Sequence, residues 1–233
     1  MPAVASSPAK LSAGTGKGFT VLVVGRFVAL KGFDVAIRAF EKFRSSQPVT
    51  SRNEIKMILV GKGPEKERLQ RIASEELISY AIEWVDWVDK VQMEKIYQKA
   101  DVFLFPSHEG AGMVIPEALS FGLPVICFDN FGPGELTNKE CAIRVSYNSY
   151  KVAVQDFATA LGKIYNNYGI KERMSSAAFR KWENDLTWDV KGLFLHNIYN
   201  EVSQMDVKSE SDKEYETHCW SSNSNTSLIE SEF

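Results

Sequence analysis

Two glutamates, Glu109 and Glu117, stand eight positions apart in the stretch SHEGAGMVIPEALSFGLPVI, with two glycines and a proline between them. Carboxylates accept hydrogen bonds from hydroxyl groups and repel phosphate, so this pair suits the hydroxyl-bearing ends of one ligand whose phosphates lie between them. Gly110 and Gly112 would let such a ligand approach the backbone closely. The amides of Gly112, Met113 and Val114 could point at an anion beside a helix start. A structural alternative stands next to this reading: Glu117 as a favourable charge on the first turn of a helix begun by Pro116, and Glu109 as a loop residue.

A second group lies in VVGRFVALKGFD, where Gly25, Arg26, Lys31 and Gly32 follow an apolar run and precede a helical pattern. Two cations on one strand-to-helix loop could clamp a diphosphate, or could be a solvated surface pair. Gly61 and Gly63 in VGKGPEKERL resemble a turn beside a nucleotide, but so short a G-x-G is weak and a mere tight turn is the better reading. Gly132, Gly134 and Glu135 in DNFGPGEL could touch a ligand, although a Pro-Gly turn explains them. His108 reads as a loop residue packed for structure, with a ligand-facing donor as the alternative. Trp84 and Trp87 could stack on a base or belong to the core, and Asp34 reads as a helix cap. The sequence contains no Ser-His-Asp grouping, metal-ligand cluster or Walker loop.

Such loops need strands to hold them and helices to follow them. Six short apolar runs qualify as strands: FTVLVVG, EIKMILVG, AIEWVDWV, DVFLFPS, LPVICFD and CAIRVS. They are apolar on successive residues rather than alternating, as expected of strands covered on both faces. Helical patterns lie between them. DVAIRAFEKFR places Ala36, Ala39, Phe40 and Phe43 on one stripe. Pro64 is predicted to open a helix that turns Leu69, Ile72 and Ala73 inward, MEKIYQKA to form two turns, and PEALSFG to run from Pro116 to Gly122. VQDFATALGKIYNNY, KERMSSAAFRKWEN and TWDVKGLFLHNIYNEV read as three amphipathic helices forming a helical closure. The pattern is that of an α/β protein, a Rossmann-like parallel sheet flanked by helices.

The chain has 233 residues, 44% hydrophobic and 24% charged, the balance of an ordinary globular protein. Its net charge of −3 is too mild to suggest nucleic acid as a partner. Residues 203–233 hold seven acidic residues against two lysines and are rich in Ser and Asn, so they read as a disordered acidic tail. Residues 1–18 read as a linker or disordered N-terminus, leaving 19–202 as a single Rossmann-like domain. No apolar run approaches the ~20 residues that cross a bilayer, so membrane contact is at most peripheral. Cys127, Cys141 and Cys219 show neither metal-ligand spacing nor a paired framework, which fits a reducing compartment. The expected location is the cytoplasm, including the cytoplasmic face of a membrane.

Taken in order, four blocks resemble the donor-binding, C-terminal half of family 4 glycosyltransferases, retaining enzymes of the GT-B fold. These are VVGRFVALKGFD, MILVGKGPEKERL, YQKADVFLFPSHEGAGMVIPEALSFGLPVI and FGPGEL. The resemblance implies that Arg26 and Lys31 bind the diphosphate of a nucleotide-sugar donor and stabilise the charge on the departing phosphate. It implies that Glu117 holds the ribose hydroxyls and that Glu109 lies at the transferred sugar. Backbone at Gly25, Gly110, Gly112, Met113 and Val114 would border sugar and phosphate, and Trp87, Val88 and Gly63 the base. It further implies transfer to a glycan or lipid-linked acceptor with retention, through a front-face attack, without a metal or other cofactor.

Two features depart from the family pattern. Ala111 stands where the family often has an aromatic, which leaves the donor preference open. Only about 18 residues precede the first strand, so the preceding acceptor-binding domain of a complete enzyme is expected in another segment or chain. A non-enzymatic nucleotide-sugar binding module is the alternative reading, and a nucleotide-sugar epimerase fits the Arg26 and Lys31 pair less well.

Overall fold

The computed structural model describes residues 18–108 and 112–204. Most of the expected linker, most of the acidic tail, and Glu109, Gly110 and Ala111 lie outside the described residues. The six predicted strands all form: β1 (Phe19–Val24), β2 (Ile55–Val60), β3 (Ile82–Val85), β4 (Val102–Phe105), β5 (Val125–Phe128) and β6 (Ala142–Val145). They make one sheet in the order β3-β2-β1-β4-β5-β6, with every neighbouring pair parallel.

The helices are α1 (Phe33–Ser45), α2 (Val49–Arg52), α3 (Lys66–Glu75), α4 (Lys90–Lys99), α5 (Val114–Ser120), α6 (Pro133–Leu136), α7 (Tyr150–Tyr165), α8 (Tyr168–Asp185) and α9 (Trp188–Gln204). The short α2 and α6 lack the length for an apolar period and were not legible. Five predicted helix starts move by two residues or more: α7 and α8 open at Tyr150 and Tyr168, ahead of VQDFATALGKIYNNY and KERMSSAAFRKWEN, and three others shift as follows. α3 begins at Lys66, because Pro64 belongs to the preceding turn. α4 begins one turn earlier than MEKIYQKA, where the Asp89 side chain accepts from the Gln92 amide at 2.8 Å. α5 begins two residues before Pro116.

Successive strand residues feed opposite cores, which explains the unbroken apolar runs. On one face Val21, Val23, Met57, Leu59 and Leu104 meet Ala36, Ala39, Phe40 and Phe43 of α1, together with Leu69, Ile72 and Ala73 of α3 and Phe157 and Leu161 of α7. On the other, Leu22, Ile58, Phe103, Phe105 and Val125 meet Tyr97 of α4, Ile115, Ala118 and Leu119 of α5, and Ala177 and Ala178 of α8. Two of the three C-terminal helices therefore cover opposite faces of the sheet instead of forming a separate closure. On α9, Leu193, Phe194 and Tyr199 are exposed. The described residues divide after Gly192 into two units, and the sheet lies wholly in the first.

The lower end of the sheet is fastened by Asp101. One of its carboxylate oxygens accepts from the Thr20 amide at 2.9 Å and the other from Lys171 Nζ at 2.9 Å, which ties β1, the start of β4 and α8 together.

Candidate functional site

Chain order reverses between β1 and β4. From β1 the strands proceed to β2 and β3 on one side, and from β4 to β5 and β6 on the other. A crevice opens beyond the carboxyl ends of two strands at such a point, because their following helices leave on opposite faces. The loop after β1 carries the cations Arg26 and Lys31, and α5, which follows β4, carries the Glu117 carboxylate.

The loop after β1 is built around Phe27. Its buried ring meets Phe33 edge-on at 4.7 Å and Trp84 at 5.9 Å. Its amide donates to Lys62 O at 3.0 Å, and its carbonyl accepts from the Glu65 amide at 3.0 Å. Gly63 faces that same backbone: a Cβ there would lie 2.4 Å from Phe27 O. A close approach within the protein therefore accounts for Gly63, in accord with a turn. Gly25 donates to Val60 O at 3.0 Å.

With Phe27 anchored, Arg26 is exposed and Lys31 is half-buried at the loop's other end, its Nζ 5.8 Å from the centroid of the Phe105 ring. Gly32 follows with φ 63°, capping α1 with its own backbone. Asp34 is therefore not the cap. Its carboxylate receives the Tyr150 hydroxyl at 3.3 Å and lies 3.7 Å from Arg68 Nη2, joining α1 to α3 and α7.

The loop after β4 is bonded to this cationic loop. The His108 amide donates to Leu30 O at 3.1 Å, and the Ser107 hydroxyl donates to the same oxygen at 3.4 Å. Asn130, after β5, donates to Ser107 O at 3.2 Å and brings a third loop in. His108 is exposed, and its ring stacks on Phe128 at 4.4 Å and meets Tyr147 edge-on at 4.9 Å. Gly132 leads into α6 with φ 88°, and Pro133 opens that single turn.

Gly112 is buried, Met113 is exposed, and Val114 is the first residue of α5 rather than part of the loop. Glu117 sits on the first turn of α5, as predicted, and its side chain has a specific partner: the Tyr97 hydroxyl donates to Glu117 Oε2 at 3.0 Å. Tyr97 is only 2% exposed. Burial, then the charge of Glu117 and this hydrogen bond, push its phenol above the ordinary range. Sequence reasoning missed this residue. Its signal was the spacing of Met93, Ile96, Tyr97 and Ala100, which marks the inward face of α4 but does not name a partner for the hydroxyl.

At the end of β3 the two tryptophans separate. Trp84 packs half-buried against Phe27, whereas Trp87 is 74% exposed. Val88 and Val114 border the same core that encloses Tyr97. Glu109 and Gly110 lie outside the described residues, so the second carboxylate of the slot has no described position. Among the described residues, no three His, Cys, Asp or Glu side chains cluster as a metal site would need.

The sequence profile of the glycosyl transferases group 1 family matches residues 10–181. The chain belongs to this family. An uncharacterized glycosyltransferase of Methanocaldococcus jannaschii is 25% identical over 187 residues, covering 79% of this chain and 45% of that protein. The chain spans less than half the length of the first curated relatives it matches. Among solved structures, the pneumococcal O-GlcNAc transferase in complex with UDP and GlcNAc has a TM-score of 0.66 at 21% identity, covering 80% of this chain and 36% of its own. The C-terminal domain of a glycosyl transferase group 1 family protein from Francisella tularensis has a TM-score of 0.64 at 17% identity, covering 73% of this chain and 87% of its own. The shared architecture is the GT-B parallel sheet of group 1 glycosyltransferases. Among the described residues no helix is long and apolar enough to cross a membrane.

Proposed function

We propose that this group 1 chain is the donor-binding half of a retaining, family 4 glycosyltransferase that takes its sugar from a nucleoside diphosphate. The observation that carries the reading is the hydrogen-bonded union of the Arg26–Lys31 loop with the loop after β4 at the β1/β4 switch point. One loop supplies cations, the other leads to the Glu117 carboxylate, and a diphosphate with a hydroxyl-bearing group at each end needs both.

In this assignment Arg26 and Lys31 hold the diphosphate, Glu117 accepts from the ribose hydroxyls, and Glu109 faces the transferred sugar. Trp87, Val88 and Gly63 border the base. Gly25, Gly110, Gly112, Met113 and Val114 offer backbone to phosphate and sugar. During transfer the bond from the anomeric carbon to the diphosphate oxygen breaks, and an acceptor hydroxyl attacks from the same face. Negative charge grows on the leaving oxygen, where fixed cations stabilise it more than they stabilise the ground state. The acceptor, a glycan or a lipid-linked one, requires an acceptor-binding domain in the same protein or a partner chain. The reaction would take place in the cytoplasm or at the cytoplasmic face of a membrane.

Calorimetric titration with UDP, GDP and ADP and their sugars tests the reading. One nucleotide series is expected to bind, with binding abolished in Glu117→Ala and weakened in Lys31→Ala. Failure of the wild-type chain to bind any of them would end the proposal. Sugar transfer on adding an acceptor-binding domain separates an enzyme half from a binding module.

A further inference from the structure

Glu117 is exposed, and an exposed glutamate ordinarily samples several rotamers, which a ligand must then freeze at an entropic cost. Here its direction is set from below. Tyr97 cannot turn: its ring lies parallel to Phe121 at 5.1 Å with an interplanar angle of 10° and is tilted against Phe103 at 6.4 Å, on the floor formed by α4, α5 and β4. The phenol reaches out of this floor to one carboxylate oxygen at 3.0 Å. The two oxygens belong to one planar carboxylate, so a bond at Oε2 restricts the positions open to Oε1.

We infer that Tyr97 is a positioning residue for ribose recognition, holding the Glu117 carboxylate in the orientation that accepts the sugar hydroxyls of a bound nucleotide. This rests on the reading of Glu117 as the ribose-holding carboxylate. A buried phenol needs some acceptor. A bond to a backbone carbonyl would satisfy that need without involving a surface charge, whereas the actual bond joins the α4 core to the one described carboxylate assigned to the ligand. Burial and the adjacent carboxylate keep the phenol protonated and therefore a donor. The residue touches no ligand in this scheme and acts only through Glu117.

The test compares ribonucleotides with their 2′,3′-dideoxy counterparts on the full chain by calorimetry, using UDP, GDP and ADP. The wild type is expected to prefer the ribonucleotide by about tenfold or more, the worth of a hydrogen bond to a charged group. Tyr97→Phe keeps the ring stack, and it is expected to lose most of that preference while binding the dideoxy form as the wild type does. Phe121→Leu, which keeps the hydroxyl but removes the ring that braces it, is expected to lose part of the preference and provides the result should Tyr97→Phe not fold. If these variants weaken both nucleotide forms equally, or retain the full wild-type preference, Tyr97 only packs and the inference is overturned. A wild type that binds no nucleotide, or does not distinguish the two forms, overturns the ribose reading of Glu117 and this inference with it.

Discussion

The backbone of Gly32 lies directly against Pro106: a Cβ on Gly32 would fall 2.1 Å from the Pro106 carbonyl oxygen. Because Gly32 also has φ 63°, two independent constraints require glycine at the point where the cationic loop meets the loop after β4. Gly32→Ala is therefore expected to destabilise the fold by about 2–3 kcal/mol. Urea unfolding measures that cost. Calorimetry on the folded fraction should also show weaker nucleotide binding, since any adjustment that relieves the overlap moves Lys31.

Arg26 and Lys31 should respond differently to salt. Arg26 is exposed, so its attraction for a diphosphate is screened within a Debye length of about 8–10 Å at moderate ionic strength. Lys31 is half-buried above Phe105 and less screened. At low salt Arg26→Ala is expected to weaken UDP binding about threefold and Lys31→Ala about tenfold. At high salt the Arg26 effect should largely vanish while most of the Lys31 effect persists. Affinities measured across a salt series check this, and an equal response of the two variants would overturn it.

Asp101 should matter for stability and not for ligand. It receives the Thr20 amide and Lys171 at the amino ends of the strands, away from the loops that form the site. Asp101→Ala is expected to cost about 1–3 kcal/mol, because the half-buried Thr20 amide and Lys171 lose their acceptor. The same variant, examined below its melting temperature, should bind nucleotide with unchanged affinity.

Cys127 introduces an alkaline dependence. Burial pushes its thiol from an ordinary value of 9.0 up to about 12, against smaller lowering effects from Thr137 and Arg144. Above about pH 9 the unfolded chain releases the thiol proton while the folded chain keeps it, so stability falls as pH rises. Cys127→Ala should flatten the decline in melting temperature between pH 9 and pH 11. At pH 7 peptide mapping after thiol labelling should find Cys127 unmodified in the native chain, since the thiolate is the reactive form.

Much of the architecture was legible in the residues. All six strands could be read because successive apolar residues are needed when both faces of a strand are covered. The stripe Ala36, Ala39, Phe40 and Phe43 identified α1 for the matching reason at helical spacing. The ends of elements were less legible. Pro64 and Pro116 suit a first helical turn, yet neither begins its helix, because proline permits a start without requiring one. Asp34 resembled a cap from its place in the chain, whereas its carboxylate is taken up by Arg68 and Tyr150, residues from distant helices.

By itself the sequence determined the residue types of the candidate site, the parallel α/β class and the order of strands and helices, all of which depend on local spacing and chemistry. Tertiary structure alone decided the strand order that sets β1 beside β4, the bonds to Leu30 O that join two loops some eighty residues apart, and the seating of Tyr97 beneath Glu117. Those facts depend on which surfaces pack together. Packing brings together groups distant in sequence, and no local pattern along the chain encodes that pairing.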